Sequence, residues 1–229
     1  MVGEEDVVRF GRWLMDIVHP AIERYLRDLA SVHDEQVLLE MEALAEERCF
    51  PIVGRLCGQM LEVMARSVGA RRIFELGSGF GFSAYWFARA TGPGGEIHLT
   101  DGDPENKKLA EDFLERAGFS DRTHFHIGDA ITEMNAHEGE FDVVYCDIDK
   151  DGYADAWAAA RERVRVGGLY MCDNMLWFGR VTDSYDEPDD RPDWTQTINA
   201  TNRAIATDPD WRSFILPTRD GVVAAIRIR

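Results

Sequence analysis

From residue 71 onward, short apolar runs alternate with amphipathic stretches, and no other feature of the chain restricts its fold so much. The runs are "RRIFEL" (71–76), "EIHLTD" (96–101), "THFHI" (123–127), "FDVVYC" (141–146) and "GLYMCD" (168–173). They read as strands, and a helical pattern follows each of the first four. Parallel neighbours need crossover connections, and those crossovers cover the sheet. The alternation therefore predicts a parallel sheet with helices on both faces. The tail departs from it. "WRSFILP", the turn "TRDG" and "VVAAIRIR" read as a hairpin that adds an antiparallel strand to the otherwise parallel sheet.

Ahead of the first strand the pattern is helical. Val8, Phe10, Leu14, Ile17 and Val18 share a face, Ser31 is the expected N-cap of a restart running to about residue 48, and "GRLCGQMLEVMARSVG" makes a further helix. With 229 residues and 45% hydrophobic content, one domain over 1–229 is expected. Residues 1–54 form its helical segment, as lid or as interface, and residues 55–229 its cofactor-binding α/β core. The acidic stretch "TDSYDEPDDRPDW" (182–194) is a surface loop or a flap over the site.

Charge narrows the partners. Lysine and arginine total 25 against 42 acids, a formal charge of −17, which repels polyphosphate backbones and disfavours nucleic acid. Cys49, Cys57, Cys146 and Cys172 form no C-x-x-C pair, as expected in a reducing, cytoplasmic setting. The acidic N-terminus lacks the character of a signal peptide and no apolar run reaches membrane-spanning length, so no membrane partner is expected.

Chemistry concentrates at strand ends. "FELGSGFGFS" puts Gly77, Gly79 and Gly81 between the first strand and a helix, where a cofactor can approach the backbone. The spacing G-x-G-x-G lacks the third glycine position of a dinucleotide fingerprint, which disfavours NAD. Glu75 suits a cofactor bearing an amino group, such as S-adenosylmethionine, because a carboxylate would repel a pyrophosphate. Asp101, ending the second strand, can accept both ribose hydroxyls, and Asp129 in "GDA" can meet an adenine amino group.

"DIDKDGY" (147–153) starts like a calcium loop, but its twelfth position is Ala158 and a strand leads into it. Asp147 follows the fourth strand, and Asp173 with Asn174 ends the fifth. If those strands are neighbours, their oxygens converge on one point suited to Mg²⁺, Mn²⁺ or Ca²⁺, with Lys150 placed as a base. Asp151 is assigned to solvent. His124 and His126 share one strand face, and without a further His or Cys to complete a zinc set they are given a structural role.

From about Gly58 to the C-terminus the chain resembles the cation-dependent S-adenosylmethionine O-methyltransferases, the family of catechol and caffeoyl-coenzyme A O-methyltransferases. Glu75, Gly77, Gly81 and Ser83 match E-x-G-x-x-x-G-x-S, Asp147 to Tyr153 match D-x-D-K-D-x-Y, and "DNMLW" matches D-N-x-L-W. The resemblance implies a three-layer αβα Rossmann-like class I methyltransferase fold, with a mostly parallel seven-stranded sheet, an antiparallel C-terminal strand and N-terminal helices. It implies cofactor contacts from Glu75, Gly77, Ser78, Gly79, Gly81, Ser83, Asp101, Asp129, Ala130 and Asp149. Metal ligation falls to Asp147, Asp173 and Asn174, and the base is Lys150. Trp177 is implied as a wall near the substrate ring, and Phe178 stands where the plant caffeoyl-coenzyme A enzymes carry an asparagine that contacts substrate. The implied partner is a small aromatic hydroxyl compound with vicinal oxygens, and the implied assembly a homodimer. Two alternatives stand beside this: a methyltransferase for hydroxylated uridine in transfer RNA, and a non-catalytic cofactor-binding relative.

Overall fold

The computed structural model describes residues 17–30, 35–182 and 188–229. Seven strands form one sheet: β1 (Arg72–Leu76), β2 (Glu96–Asp101), β3 (Thr123–Ile127), β4 (Phe141–Cys146), β5 (Val164–Cys172), β6 (Trp211–Leu216) and β7 (Val222–Arg227). Their order is β3-β2-β1-β4-β5-β7-β6, parallel except for β7, which runs antiparallel between β5 and β6. The chain winds outward from β1 to β3 and then crosses to β4 on the other side of β1. That reversal opens a crevice at the carboxyl ends of β1 and β4.

Period-two alternation sends successive residues of each central strand into separate cores. Ile73, Val143, Tyr145, Leu169, Met171 and Ala224 meet α2 (Gln36–Arg48), α3 (Gly54–Ser67), α4 (Phe82–Thr91) and α5 (Pro104–Arg116) on one face. Phe74, Leu76, Val144, Cys146, Tyr170 and Ala225 meet α6 (Ala130–Ala136), α7 (Tyr153–Arg163) and α8 (Pro192–Thr207) on the other. A sheet dry on both faces explains why its strands read as nearly continuous apolar runs.

The elements depart from the sequence pattern in local ways. β5 starts at Val164, four residues before the expected boundary, because the β4–β5 register shifts between Phe141 and Val143. Gly168 permits that irregularity: a Cβ there would stand 2.6 Å from the Asp142 carbonyl oxygen. The first described helix, α1, spans Pro20–Ala30, while Ile17 and Val18 precede it outside any helix. Val8, Phe10, Leu14 and the expected cap Ser31 lie outside the described residues, and α2 starts at Gln36 with Glu35 as its cap residue. Proline at its first position begins α8 inside the acidic stretch, so 192–194 are helical, and 183–187 lie outside the described residues. No described helix is long and apolar enough to cross a membrane.

One expectation is overturned. His126 does have histidine company, from His98 on β2 and His137 at the end of α6, with one ring nitrogen of each within 4.8 Å of the others. The sequence hides this because tertiary packing, not local spacing, brings the three together. His124 stays exposed outside that set.

Candidate active site

Backbone pairing continues past the strand ends and sets the site's frame. The Asp147 N–H donates to Leu76 O (2.8 Å) and the Asp173 N–H to Cys146 O (3.0 Å). Gly77, Asp147 and Asp173 therefore stand side by side at the carboxyl edge of the sheet. A hollow of about 740 Å³ opens over them. Gly77, Ser78, Gly79, Ser83, Asp101, Asp129 and Ala130 line one side, and Asp147, Asp149, Lys150, Asp173 and Asn174 the other.

On the first side the backbone orients the acids. Gly77 has φ +81°, and a Cβ on it would stand 2.5 Å from the Asp147 carbonyl oxygen. Gly79 has φ +50° and lies under the Phe50 ring, 2.8 Å from where a Cβ would be. Its N–H donates to Asp101 (3.0 Å), whose other oxygen accepts from the Asp103 N–H (2.8 Å) and Asn106 Nδ2 (3.1 Å). Asp129 caps α6, accepting from the Thr132 N–H (2.8 Å) and hydroxyl (2.6 Å) with one oxygen. Each acid is held by donors that leave lone pairs for a ligand.

Glu75 is the exception. It is fully buried beneath the glycine turn, and among the described residues neither carboxylate oxygen has a hydrogen-bond partner. Burial lifts its carboxyl to about 7; the nearby Ser78 and Ser83 hydroxyls offset this in part, and the charges of Asp147 and Asp101 add to it. Glu75 does not itself line the hollow, but an orphaned buried carboxyl calls for a positive group. The ammonium and sulfonium of S-adenosylmethionine fit that demand, and a pyrophosphate does not. Gly81 starts α4 as its left-handed cap residue.

On the second side the acids face one another. Burial, then the charge of Asp173, raises the Asp147 carboxyl to about 6, against the pull of Lys150 and Arg219. Lys150 Nζ lies 3.5 Å from Asp147 Oδ1 and 3.2 Å from the Ile148 carbonyl oxygen. The Tyr153 hydroxyl donates to Asp173 O (2.8 Å), fixing that strand end from α7. Asn174 gives its amide N–H to Asp220 (3.4 Å), which leaves the amide oxygen to act as a donor atom. Two carboxylates and an amide oxygen fit a hard divalent cation, which would relieve the repulsion between the acids.

Backbone strain marks the same place. Asn174, Trp177 and Phe178 all take positive φ, at 58°, 46° and 53°. Non-glycine residues in that region cost energy and persist where the surroundings impose them. Asp220 supplies part of the constraint by accepting the Phe178 N–H. Trp177 and Phe178 do not line the hollow. Their rings tilt against each other at 5.7 Å, and Trp177 packs at the same distance on Trp194 of α8.

Sequence reasoning missed three contributors. Phe50 to Val53, in the connection between α2 and α3, form a wall over the glycine turn. Arg219, from the hairpin turn, brings Nη1 to 3.6 Å from Asp173 Oδ2. Beside it Asp220 is 2% exposed, and burial lifts its carboxyl to about 7. The only signal was "TRDG" itself, which a turn explains equally well. Arg219 also borders a second hollow of about 450 Å³, with Arg27, Glu42, Ile52, Gly54, Arg55 and Leu56.

A family model described as O-methyltransferase matches residues 28–228. The chain belongs to that family. The caffeoyl-CoA O-methyltransferase of Eucalyptus gunnii is 31% identical over 179 residues, 75% of this chain and 72% of the relative. The catechol O-methyltransferase of Niastella koreensis is 29% identical, over 72% of this chain and 77% of the relative. Among solved structures, the O-methyltransferase TomG of Streptomyces achromogenes, in complex with S-adenosylmethionine, aligns with a TM-score of 0.80 at 25% identity. The alignment covers 95% of this chain and 98% of that one. The chain is an S-adenosylmethionine-dependent O-methyltransferase, and its sheet is the expected one: mostly parallel, with an antiparallel C-terminal strand.

Proposed function

We propose that this O-methyltransferase methylates one hydroxyl of a small aromatic compound with vicinal oxygens, such as a catechol, and that it requires a divalent cation, Mg²⁺ or else Mn²⁺ or Ca²⁺. Asp147, Asp173 and Asn174 would hold the cation. The observation that carries the reading is the placement of those three donors on adjacent strand ends, with Lys150 Nζ 3.5 Å from Asp147 and the cofactor hollow alongside. When bound, the cation supplies chelation of the two acceptor oxygens and a lowered hydroxyl pKa.

The chain's own residues do the rest. Glu75 and Asp101 anchor the donor by its ammonium and ribose, Ser78, Ser83, Ala130 and Asp149 line its path, and Asp129 takes the adenine end. Lys150, as the free amine, accepts the hydroxyl proton. The oxygen pair then forms the O–CH₃ bond as the S–CH₃ bond breaks, and sulfur keeps that electron pair as a neutral thioether. Trp177 and Phe178, which do not line the hollow itself, would meet the acceptor ring only from beyond the hollow's rim. Holding donor and acceptor in line can supply about 7 to 11 kcal/mol of the barrier reduction.

The division into a helical segment, 1–54, and a cofactor-binding core, 55–229, accompanies this reading. A homodimer is supported by the exposed apolar stripe of α1, where Ile22, Tyr25 and Leu29 are more than half exposed. Sedimentation of Leu29→Glu, expected to be monomeric, tests it.

The deciding experiment uses metal-stripped enzyme with S-adenosylmethionine and three acceptor classes: catechols, hydroxycinnamoyl thioesters and transfer RNA. Methyl transfer to one of the first two, restored by Mg²⁺ and abolished by a chelator, is expected. Full turnover in chelator, or transfer to RNA alone, overturns the proposal.

A further inference from the structure

Four of the chain's six histidines gather on one side of the sheet, His98, His126 and His137 around Phe74 and His124 beside His98. Three are arranged as ligands. His98 Nδ1 lies 3.1 Å from His126 Nε2, and the His137 ring centre is 4.3 Å from that of His98 and 4.8 Å from that of His126. His98 is buried, and His126 and His137 reach the surface. None of them lines the cofactor hollow.

An outer hydrogen bond selects the tautomer of His137. His137 Nδ1 lies 2.8 Å from the Glu133 carbonyl oxygen, which can only accept, so that nitrogen carries the proton and Nε2 keeps its lone pair. His98 Nε2 lies 3.0 Å from Glu96 Oε1, near enough for attraction but without the alignment of a hydrogen bond, and Arg72 holds the other Glu96 oxygen at 3.0 Å. A proton on His98 Nε2 leaves Nδ1 facing His126. A carboxylate or carbonyl behind an imidazole is the outer contact that orients metal-bound histidines. Ring packing against Phe74 would be met by any flat side chain, and the His98–His126 pair is within hydrogen-bond reach without a cation, but neither contact accounts for the third nitrogen, that of His137, within 4.8 Å of both. Two Zn–N bonds of about 2.0–2.1 Å in a tetrahedron put the nitrogens roughly 3.3 Å apart, close to the His98–His126 separation.

We propose that His98 Nδ1, His126 Nε2 and His137 Nε2 bind a divalent transition cation of the Zn²⁺ class, with the fourth position open to water. Imidazole nitrogens favour that class over Mg²⁺ or Ca²⁺, so the site is distinct in chemistry from the oxygen donors of the hollow. Glu133 and Lys107, the latter held on the Phe125 carbonyl (3.3 Å), flank His126 with opposite charges. The cation would tie the edge strand β3 and the end of α6 to β2. Because α6 begins with Ala130 at the hollow, this clamp holds one wall of the cofactor site.

The test titrates Co²⁺ into the untagged full-length chain carrying Asp173→Ala, in Mg²⁺, and follows the visible ligand-field absorption. One equivalent should bind with a low-coordinate spectrum lacking thiolate bands, and Zn²⁺ should displace it. His126→Gln and His137→Gln should each weaken binding at least about tenfold, while His19→Gln and His124→Gln should not. Absence of the spectrum, thiolate bands in it, or affinity unchanged in both His126→Gln and His137→Gln overturns the proposal. If the variants misfold, imidazole NMR of the unsubstituted chain decides. Zn²⁺ must then shift three histidines together, and no shift refutes the site.

Discussion

The two sides of the hollow solve opposite problems with the same residue type. Around the glycine turn, Asp101 and Asp129 are held by backbone and side-chain donors, so their orientation is complete before any ligand arrives. Around "DID" and "DN", Asp147 and Asp173 instead raise each other's energy and lean on Lys150 and Arg219. The difference teaches that the first side is a preformed cradle, while the second keeps like charges close together, which is what the proposed cation would relieve. Glu75 crosses the division: it sits on the cradle side but, unlike those four aspartates, has no hydrogen-bond partner among the described residues.

The sharpest way to break that contrast is Asp173→Ala. Turnover should fall by on the order of 10³-fold, since a bound cation contributes several kcal/mol, while cofactor affinity in calorimetry stays nearly unchanged. Loss of both together would erase the distinction between the sides. Lys150→Met should lower kcat by about 10²-fold while leaving Mg²⁺ binding intact, as befits a proton acceptor. If metal affinity falls in parallel with kcat, Lys150 is a support for Asp147 and not a base.

A substitution on the cradle side should act on folding first. Gly77→Ala forces an L side chain to φ +81° and into the Asp147 carbonyl, which predicts a loss of about 2 kcal/mol in urea denaturation. An unchanged midpoint would show that the two sides are not in rigid contact there. A further test reads the pH response of Glu75. Burial raises its carboxyl from 4.5 to about 7 in the free protein, with Ser78, Ser83, Asp147 and Asp101 facing it. Between those values the folded chain binds more protons at Glu75 than the unfolded chain does. This group's contribution to stability therefore falls as pH rises from 4.5 to 7. Donor binding needs the carboxylate and so releases a proton, and affinity should rise up to about tenfold per pH unit below 7 and level off above it. Calorimetry across that range should lose the slope in Glu75→Gln; a slope that persists assigns the proton elsewhere.

Much of the site was legible because its residues sit at strand ends, where local pattern alone fixes both position and direction. "FELGSGFGFS", Asp101, "DIDK" and "DN" each follow an apolar run, and a parallel sheet gathers such ends on one edge. Illegible residues reached the site from other kinds of place. Phe50 comes from a connection between helices and Arg219 from a hairpin turn, and neither carries a local pattern that a surface loop would not share. The histidine cluster escaped for the same reason. Its three members come from two strands and a helix end, so no spacing rule applies to them.

Hydrophobic alternation and chain connectivity by themselves determined the strands, the helices between them and the edge on which ligands collect, because each rests on contacts local in sequence or on the geometry of crossovers. Only the tertiary structure decided which charges are left without partners and which side chains meet across the sheet. Burial sets the electrostatic state of Glu75, Asp147 and Asp220, and register brings His98, His126 and His137 together. Both depend on what surrounds a residue in space, which its neighbours in the chain do not specify.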